Sequence, residues 1–342
     1  MKTNPGNFFE DFRLGQKLAH ATPRTLTSGD AALYQALYGS RFALQSSDAF
    51  AQALGLPYAP LDDLLVFHTV FGKTVPDISL NAVANLGYAE GRFLRPVFAG
   101  TTISATSEVI GLKENSNRQT GVVYVRTEGF GEDGAKLLTY VRWVMVRKRD
   151  PEAAVAETHV PQLTEAVSPG LLALPKANFA KFDFTASGSP HAWEDYAPGE
   201  KIDHVDGITV EDAEHMMATR LYQNTARVHF NQFTESKGRF GKRLIYGGHV
   251  ISLARALSFN GLANAVTIAA INGGRHIAPL FAGDTVFAWS EVLDKAELRR
   301  DVGALRLRLV ATKDVPCADF PGAEATGTIL DLDYWALMPR RG

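Results

Sequence analysis

Two stretches of this 342-residue chain lie 183 positions apart and agree at eleven of nineteen residues. The first reads GRFLRPVFAGTTISATSEV from Gly91 to Val109, and the second reads GRHIAPLFAGDTVFAWSEV from Gly274 to Val292. Upstream of each, the segment from Glu10 to His20 returns as Glu194 to His204 at an offset of 184. Related segments in the same order, at nearly constant spacing, indicate a duplicated and fused domain. The chain must therefore fold as two similar units, and differences between the copies show where only one has kept a function.

The repeats divide the chain into an N-terminal copy over residues 1–149 and a C-terminal copy over residues 191–342. Each copy has the usual size of one domain. The connecting residues 150–190 contain five prolines and no sustained hydrophobic period, which is typical of a linker. We therefore predict two domains joined by a long linker that runs over the surface.

Each copy has the same predicted order of elements, beginning with a short strand around Gly15 to His20 or Gly199 to His204, followed by a capped helix. Thr27 with Asp30, and Thr209 with Asp212, resemble capping boxes. A second, apolar helix is predicted over residues 61–71 in the N-terminal copy and 248–257 in the C-terminal copy. Segments rich in Val, Thr, Tyr and Phe predict strands over residues 121–129, 137–147, 284–293, 304–312 and 325–337. The predicted fold class is α+β, with an antiparallel sheet wrapped around one long helix in each copy.

Two local predictions concern the C-terminal copy. Helical spacing predicts that one face of its first helix packs into the core, and this face consists of Ala213, Met216, Met217, Arg220 and Leu221. The segment from Pro279 to Thr285 is expected to be a strand.

The composition argues against several classes of function. The net charge is −2, with 46% hydrophobic and 21% charged residues, so the chain lacks the positive charge that attracts nucleic acids or anionic membranes. No apolar run approaches the ~18 residues of a membrane span, and the first residues lack the apolar core of a signal peptide. The single cysteine, Cys317, argues against an internal disulfide or a cysteine-based metal site and predicts a cytoplasmic location. We therefore expect no nucleic acid, membrane or metal as a partner.

A loop in the C-terminal copy resembles an enzyme motif. The residues LYQNTARVHFN from Leu221 to Asn231 are followed by YGGHV from Tyr246 to Val250. Together they resemble the hydratase signature of the MaoC-like hot-dog family, in which a Gly-Asp-x-Asn-Pro-x-His loop precedes a long helix opened by glycine. The segment from Pro279 to Thr285 also matches a recurrent segment of that family. The resemblance implies a tandem (double) hot-dog fold and the reversible hydration of an enoyl-CoA thioester.

The resemblance also implies roles for individual residues. His229 falls on the catalytic histidine of the family, and Asn224 falls on its catalytic aspartate. A histidine near its solution pKa can transfer the protons that hydration requires. Backbone N–H groups at a glycine-opened helix can stabilise an enolate oxygen, which implicates Gly247, Gly248 and His249. From the residues alone, His229 could also be an ordinary histidine and the glycines a simple turn.

The motif departs from the family at Asn224, Ala226 and Arg227, which replace aspartate, asparagine and proline. Asparagine has no titrating proton, so Asn224 cannot act as a general base. We expect His229 to carry proton transfer while Asn224 positions the water or a substrate carboxylate. The open alternative is that Glu235 replaces the missing aspartate.

Basic residues could bind the anionic parts of a CoA ester. The residues of the motif are most similar to those of family members that act on a dicarboxylic enoyl-CoA. A guanidinium can hold a carboxylate through two hydrogen bonds, which favours Arg227, with Arg41 in the equivalent N-terminal loop as a second candidate. A basic loop could meet the nucleotide phosphates or could simply be solvated, and it consists of Lys237, Arg239, Lys242 and Arg243.

The N-terminal copy lacks these candidate catalytic residues. Its matching loop, residues 38–46, has neither histidine nor aspartate, and its long helix begins Pro60-Leu61-Asp62-Asp63 without glycine. We predict one active site per chain, with the N-terminal copy as a wall of the substrate tunnel. No cofactor is expected, because CoA is part of the substrate, and we expect a homo-oligomer.

The hot-dog fold alone does not fix the reaction. A general R-specific enoyl-CoA hydratase, an acyl-CoA thioesterase and a non-catalytic acyl-CoA-binding subunit therefore remain open as alternatives.

Overall fold

The protein is described by a computed structural model over residues 2–154 and 157–341. The N-terminal half contains five strands and one long helix, α4, which a π-helical segment, Val75–Ser79, continues. Its elements in chain order are β1 (Lys17–Thr25), α1 (Ser28–Tyr38), α2 (Ala43–Ser46), α3 (Asp48–Ala53), α4 (Asp63–Thr74), β2 (Ala82–Phe93), β3 (Thr102–Glu114), β4 (Thr120–Phe130) and β5 (Lys136–Arg147).

The C-terminal half repeats this order, and its long helix is α8. The elements are β6 (Lys201–Asp203), β7 (Ile208–Thr209), α5 (Asp212–Leu221), α6 (Arg227–Phe230), α7 (Gln232–Glu235), α8 (Gly247–Leu257), α9 (Phe259–Leu262), β8 (Thr267–His276), β9 (Thr285–Arg299), β10 (Val302–Lys313) and β11 (Thr328–Pro339). None of the helices in the described ranges is long and apolar enough to cross a membrane.

One antiparallel sheet of eleven strands runs through both halves. The strand order is β1-β3-β4-β5-β2-β8-β11-β10-β9-β6, with β7 paired to β9. This order is mirrored about the contact between β2 and β8, where Gly91 lies opposite Ile271 and Tyr88 lies opposite Gly274. Gly274 and Ile271 are the repeat equivalents of Gly91 and Tyr88, so the two pairs are equivalent to each other. The two halves are therefore related by an approximate two-fold axis at this junction.

The two long helices pack into one core shared by both halves. Residues 64–74 of α4 and residues 248–255 of α8 are buried. A single apolar cluster includes Phe67 from α4, Ile251 from α8 and strand residues from both halves. Burying apolar surface stabilises such packing by roughly 25 cal/mol per Å². This core holds the N-termini of both helices against the sheet.

The histidine that ends the upstream repeat has a structural role in both copies. His20 Nε2 lies 2.7 Å from Ser107 Oγ, and His204 Nε2 lies 2.8 Å from Ser290 Oγ. Both rings are buried. Each therefore ties the first strand of its half to the neighbouring strand, β3 or β9, and the repeat preserves a framework contact.

The prediction of a strand from Pro279 to Thr285 is wrong. Residues 279–284 form the turn between β8 and β9, and residues 96–101 form the equivalent turn between β2 and β3. Gly283 and Gly100 have φ values of 96° and 100°, a left-handed conformation that glycine adopts without steric cost. The strongest part of the repeat therefore encodes a turn.

Two predictions for α5 are also wrong, whereas the Thr27–Asp30 capping box is present. The N-cap of α5 is Glu211, because Thr209 pairs within β7 and its Oγ1 lies 2.9 Å from Thr285 Oγ1. Met217 is exposed, so the helix face that packs into the core differs from the predicted one. The buried residues of α5 are His215, Ala218, Thr219 and Leu221.

The connecting segment lies over the outer face of the C-terminal strands. Leu172, Phe179 and Phe182 pack against Trp335 and Leu337 of β11. The indole of Trp335 donates a hydrogen bond of 3.0 Å to the carbonyl of Val167. Strand β11 is consequently covered on both faces, which explains why its burial does not alternate.

The backbone of α4 meets the C-terminal half at Gly72. A Cβ atom at this position would overlap the carbonyl oxygen of Tyr222. Tyr222 is the C-cap of α5 and lies two residues before Asn224. Glycine is therefore required here by a close approach between the two halves.

We expect Gly72→Ala to lower the free energy of unfolding by about 1–3 kcal/mol, because the added methyl group overlaps the backbone of Tyr222. In an unobstructed helix the same substitution is stabilising by up to about 1 kcal/mol, so the sign of the change in unfolding free energy separates the two cases. Urea denaturation followed by circular dichroism measures the change. The control is Gly170→Ala, where a Cβ atom meets nothing within 4 Å. A Gly72→Ala protein as stable as its parent would contradict the close approach.

Candidate active site

Asn224 lies in the short loop that joins α5 to α6. The N–H of Asn224 donates to the carbonyl of Thr219 at 2.9 Å, which closes the turn after α5. Within this turn Gln223 has a φ of 54°, a conformation that favours glycine. The family motif has glycine at this position, so Gln223 is a fourth departure from it. The turn leads into α6, which carries His229.

His229 has one free ring nitrogen. Its Nδ1 donates to the carbonyl oxygen of Leu244 at 2.8 Å, so Nε2 is an acceptor in the neutral ring. The side chain is half-buried, and burial lowers its pKa from 6.5 to about 4. The ring is therefore neutral at pH 7 and is suited to act as a general base.

Asn224 is buried beside this loop, with 1% of its surface exposed. Its Oδ1 accepts the N–H of Ala226 at 3.1 Å. Its Nδ2 has no acceptor among residues 2–154 and 157–341. The side chain therefore presents a free N–H donor to a ligand in the site, while one lone pair of Oδ1 is used by the Ala226 N–H.

The N-terminus of α8 lies next to His229. The ring centroids of His229 and Tyr246 are 5.5 Å apart, and Tyr246 is the N-cap of α8. The N–H groups of Gly247 and Gly248 have no acceptor within the described chain, as is usual for the first residues of a helix. Two backbone donors are thus available beside a neutral imidazole.

The two glycines also make room for neighbouring rings. A Cβ atom on Gly247 would overlap His276, and one on Gly248 would overlap Tyr246 and approach His68. Glycine is therefore required for packing at this helix start, in addition to leaving the N–H groups accessible.

The prediction that His249 contributes to the oxyanion site is wrong. Its N–H already donates to the carbonyl of Tyr246 at 2.9 Å. Its ring is buried, with Nδ1 2.9 Å from Tyr38 Oη. The donors that remain at this end of α8 are those of Gly247 and Gly248.

Two histidines near the site were missed in the sequence. His215 accepts the N–H of Tyr246 at 2.9 Å through Nε2, and the misassigned face of α5 concealed it. His276 Nε2 lies 3.3 Å from Tyr88 Oη. A signal for His276 does exist, because the equivalent residue of the N-terminal repeat is Phe93.

The basic loop between α7 and α8 is exposed, as a phosphate-binding surface requires. Lys237, Arg239 and Lys242 stand over aromatic rings at 4.2, 5.1 and 4.4 Å and form no ion pair with a carboxylate of the described residues. Arg243 differs, because Asp212 pairs with it. Three of the four predicted residues therefore keep a charge that is not neutralised within the loop.

The remaining predicted residues lie at different places. Arg227 is exposed, with Nη1 3.4 Å from Asn81 Oδ1. Arg41 lies 4.6 Å from the ring of Phe259, beyond the C-terminal end of α8, a helix about 16 Å long. The structure does not bring Arg41 to the start of α8. The carboxylate of Glu235 lies near Gly238 and makes no hydrogen bond to His229 in the described chain.

Burial keeps several imidazoles neutral around this site and elsewhere in the core. It lowers the pKa of His68 and His249 to about 3, of His204, His229 and His276 to about 4, and of His215 to about 2. Within the described ranges, no group of three or more His, Cys, Asp or Glu side chains could hold a metal ion. The arrangement therefore offers neutral bases and backbone donors.

Comparison with known proteins gives the family. A profile of the mesaconyl-CoA hydratase family matches residues 2–322. The chain is 63% identical to β-methylmalyl-CoA dehydratase of Chloroflexus aurantiacus, over 100% of this chain and 99% of that relative. It is 62% identical to mesaconyl-CoA hydratase of Cereibacter sphaeroides, over 99% and 100% of the two chains. The predicted family resemblance is confirmed.

Solved structures confirm the predicted α+β double hot-dog fold. The crystal structure of a MaoC domain protein dehydratase from Chloroflexus aurantiacus has a TM-score of 0.97 at 63% identity, and all of both chains is covered. A Mycobacterium tuberculosis protein with a double hotdog fold has a TM-score of 0.79 at 24% identity, with 98% and 99% of the chains covered. This second likeness concerns the fold alone.

The four fully buried imidazoles, those of His68, His204, His215 and His249, predict a loss of stability in acid. Below about pH 6.5 the unfolded chain protonates these histidines while the folded chain keeps them neutral, so each contributes a slope of up to about 1.4 kcal/mol per pH unit. Their stabilising contribution is complete above that pH and is lost as the pH falls through the folded pKa values. Urea denaturation between pH 7.5 and 5 measures it. Equal stability at both ends of this range would contradict neutral, buried rings.

Proposed function

Because the chain belongs to the mesaconyl-CoA hydratase family, we propose that it catalyses the reversible addition of water to mesaconyl-CoA, giving β-methylmalyl-CoA. The enzyme is a hydro-lyase. The observation that carries the chemistry is the position of His229, a neutral base with a free Nε2, beside the open N-terminus of α8. The proposal includes a cytoplasmic homo-oligomer that needs no cofactor, since CoA is part of the substrate.

His229 carries the proton in this proposal. In the hydration direction, its Nε2 accepts a proton from water as the water oxygen bonds to the β-carbon. The electron pair of the double bond moves toward the thioester and forms an enolate. The imidazolium then returns a proton to the α-carbon as the enolate collapses. A base whose pKa lies well below neutrality is unprotonated at pH 7 and is ready for the first step.

The start of α8 stabilises the enolate. The N–H groups of Gly247 and Gly248 are fixed by the helix before the reaction begins, so no reorganisation is needed when charge develops on the thioester oxygen. The positive end of the helix dipole favours the same charge. Donors of this kind typically contribute a factor of about 10²–10³ to the rate.

Asn224 orients the water or a substrate oxygen. Since its Oδ1 is already bonded to the Ala226 N–H, the amide group donates through Nδ2 to the oxygen that it holds. This leaves proton acceptance to His229 alone. Glu235 has no part in this proposal, because its carboxylate lies near Gly238 in the exposed loop.

The nucleotide part of CoA binds at the basic loop. Lys237, Arg239 and Lys242 provide positive charge, and Phe233 beside them is 75% exposed. Such a ring can stack on the adenine while the cations meet the phosphates. Arg243 contributes less, because it is paired with Asp212.

Incubation with mesaconyl-CoA tests the reaction. We expect loss of the enoyl absorbance without release of free thiol, and incorporation of solvent deuterium at the α-carbon. Release of thiol would instead indicate a thioesterase. Saturable binding without absorbance change or deuterium incorporation would indicate a binding subunit. Equal efficiency with mesaconyl-CoA and crotonyl-CoA would indicate a general enoyl-CoA hydratase.

Variants test the roles of the loop residues. We expect His229→Ala to lower kcat by about 10²–10⁴, the usual contribution of general acid–base catalysis, and Asn224→Ala to lower it less. Glu235→Gln should keep the parental kcat. Steady-state kinetics with mesaconyl-CoA provide the measurement, and thermal melting checks that each variant is folded. If Glu235→Gln is as inactive as His229→Ala while Asn224→Ala is active, the assignment is wrong.

A further inference from the structure

Arg142 is a buried cation without a counter-ion in the described chain. It lies on β5 and has no solvent-exposed surface. Its Nη2 donates to Thr74 Oγ1 at 2.8 Å and to Ser79 Oγ at 3.3 Å. Its Nε and Nη1 have no hydrogen-bond partner, and no described carboxylate forms a salt bridge with it. Two buried guanidinium nitrogens are therefore left without an acceptor.

An unpaired buried charge is costly. Removing an ion from water is compensated only by an opposite charge and by hydrogen bonds to all of its polar atoms. Buried Arg255 differs, because its Nη1 donates to Ser258 Oγ at 3.0 Å and its Nη2 donates to the carbonyl of Ala265. Arg142 has only aromatic and hydroxyl neighbours, and burial lowers the pKa of its guanidinium. A bound anion would supply the charge and the acceptors that Arg142 lacks.

Arg142 lies behind the start of α8. Its guanidinium carbon is 4.2 Å from the ring centroid of Phe71. The Phe71 ring is 5.7 Å from that of Tyr246, and Tyr246 is 5.5 Å from His229. Phe71 and Tyr246 thus connect the surroundings of the orphaned cation to those of the proposed base. Tyr88 makes a second connection, because it lies opposite Arg142 in the sheet and contacts His276.

The duplication places this arginine in one copy alone. Tyr88 pairs with Arg142 between β2 and β5, and the equivalent Ile271 pairs with Tyr334 between β8 and β11. The counterpart of Arg142 is therefore Tyr334. The half that lacks the catalytic histidine carries the cation, and the half that carries the histidine lacks the cation.

We propose that Arg142 binds the free carboxylate of the acyl group and thereby makes the enzyme selective for a dicarboxylic enoyl-CoA. The inference rests on the proposed function and deepens it. The guanidinium offers Nε and Nη1, which can donate to the two oxygens of one carboxylate. Tyr140, two residues earlier on β5, has a buried hydroxyl without a partner and projects from the same face of the strand. The N-terminal half thus contributes recognition to the reaction performed by the other half.

Arg142→Met tests the inference because Met is unbranched and fills a similar space without charge. We expect kcat/KM for mesaconyl-CoA to fall at least about a hundredfold, as when one partner of a buried charge pair is removed. Activity on crotonyl-CoA, which has a methyl group in place of the carboxylate and lacks the methyl branch on the α-carbon, should change no more than a few-fold. Steady-state kinetics with both esters give the ratio. The matched control is Arg147→Met, at an exposed position of the same strand, which should leave the ratio unchanged.

Equal losses on the two esters would overturn the inference while leaving the proposed function intact. Selectivity that disappears with Arg227→Leu and survives Arg142→Met would overturn it as well. If Arg142→Met does not fold, Arg142→Lys decides, because it keeps the charge and removes the planar pair of donors. A selective loss on mesaconyl-CoA then supports the inference, and an equal change on both esters overturns it. A parental enzyme that hydrates neither ester overturns the proposed function and the inference together.

Discussion

The backbone pairing of β2 with β8 is the contact on which the rest of the molecule depends. It joins an array of five strands to an array of six edge to edge, so that each half loses one open edge and the two long helices share one core. The same pairing fixes α4 against the turn after α5, where Gly72 meets Tyr222. Tyr88 in β2 lies between Arg142 and Gly274 of the other half. Residues from both copies can therefore surround one small volume at the start of α8, although most lie far apart in the chain.

The charge states of the residues around this volume all favour an anionic ligand. Burial keeps the imidazoles around it neutral, and Asn224 falls on the aspartate of the MaoC-like motif that the loop resembles. An aspartate there would add a negative charge close to a substrate that brings its own. An asparagine avoids that repulsion and still supplies a hydrogen bond, while a buried arginine supplies the attraction. Under the proposed function, the departure of the loop from the family motif and the orphaned guanidinium both suit an anionic acyl group.

The sequence alone predicts the duplication, the two long helices, seven of the strands and the loop with His229 and Asn224, because each leaves a local signal. It does not predict β2 and β8, whose glycine and alanine content reflects close pairing at the junction and not strand propensity. The Pro-x-Phe-Ala-Gly segment gives the opposite error, because it is predicted to be a strand and forms a turn at Gly100 and Gly283. Arg142 leaves no local signal either, because an arginine among apolar strand residues becomes informative only once its missing counter-ion is seen.

The approximate two-fold axis at the junction has a consequence for how such a site can arise. In a homodimer of single-copy chains, symmetry obliges every substitution to occur twice, so a cation placed behind one catalytic centre would also be placed behind the other. Covalent fusion removes that obligation. Positions 142 and 334 became genetically independent, and one could become arginine while its twin stayed tyrosine. The proposed base and the proposed carboxylate-binding residue can thereby lie in different descendants of one ancestral domain.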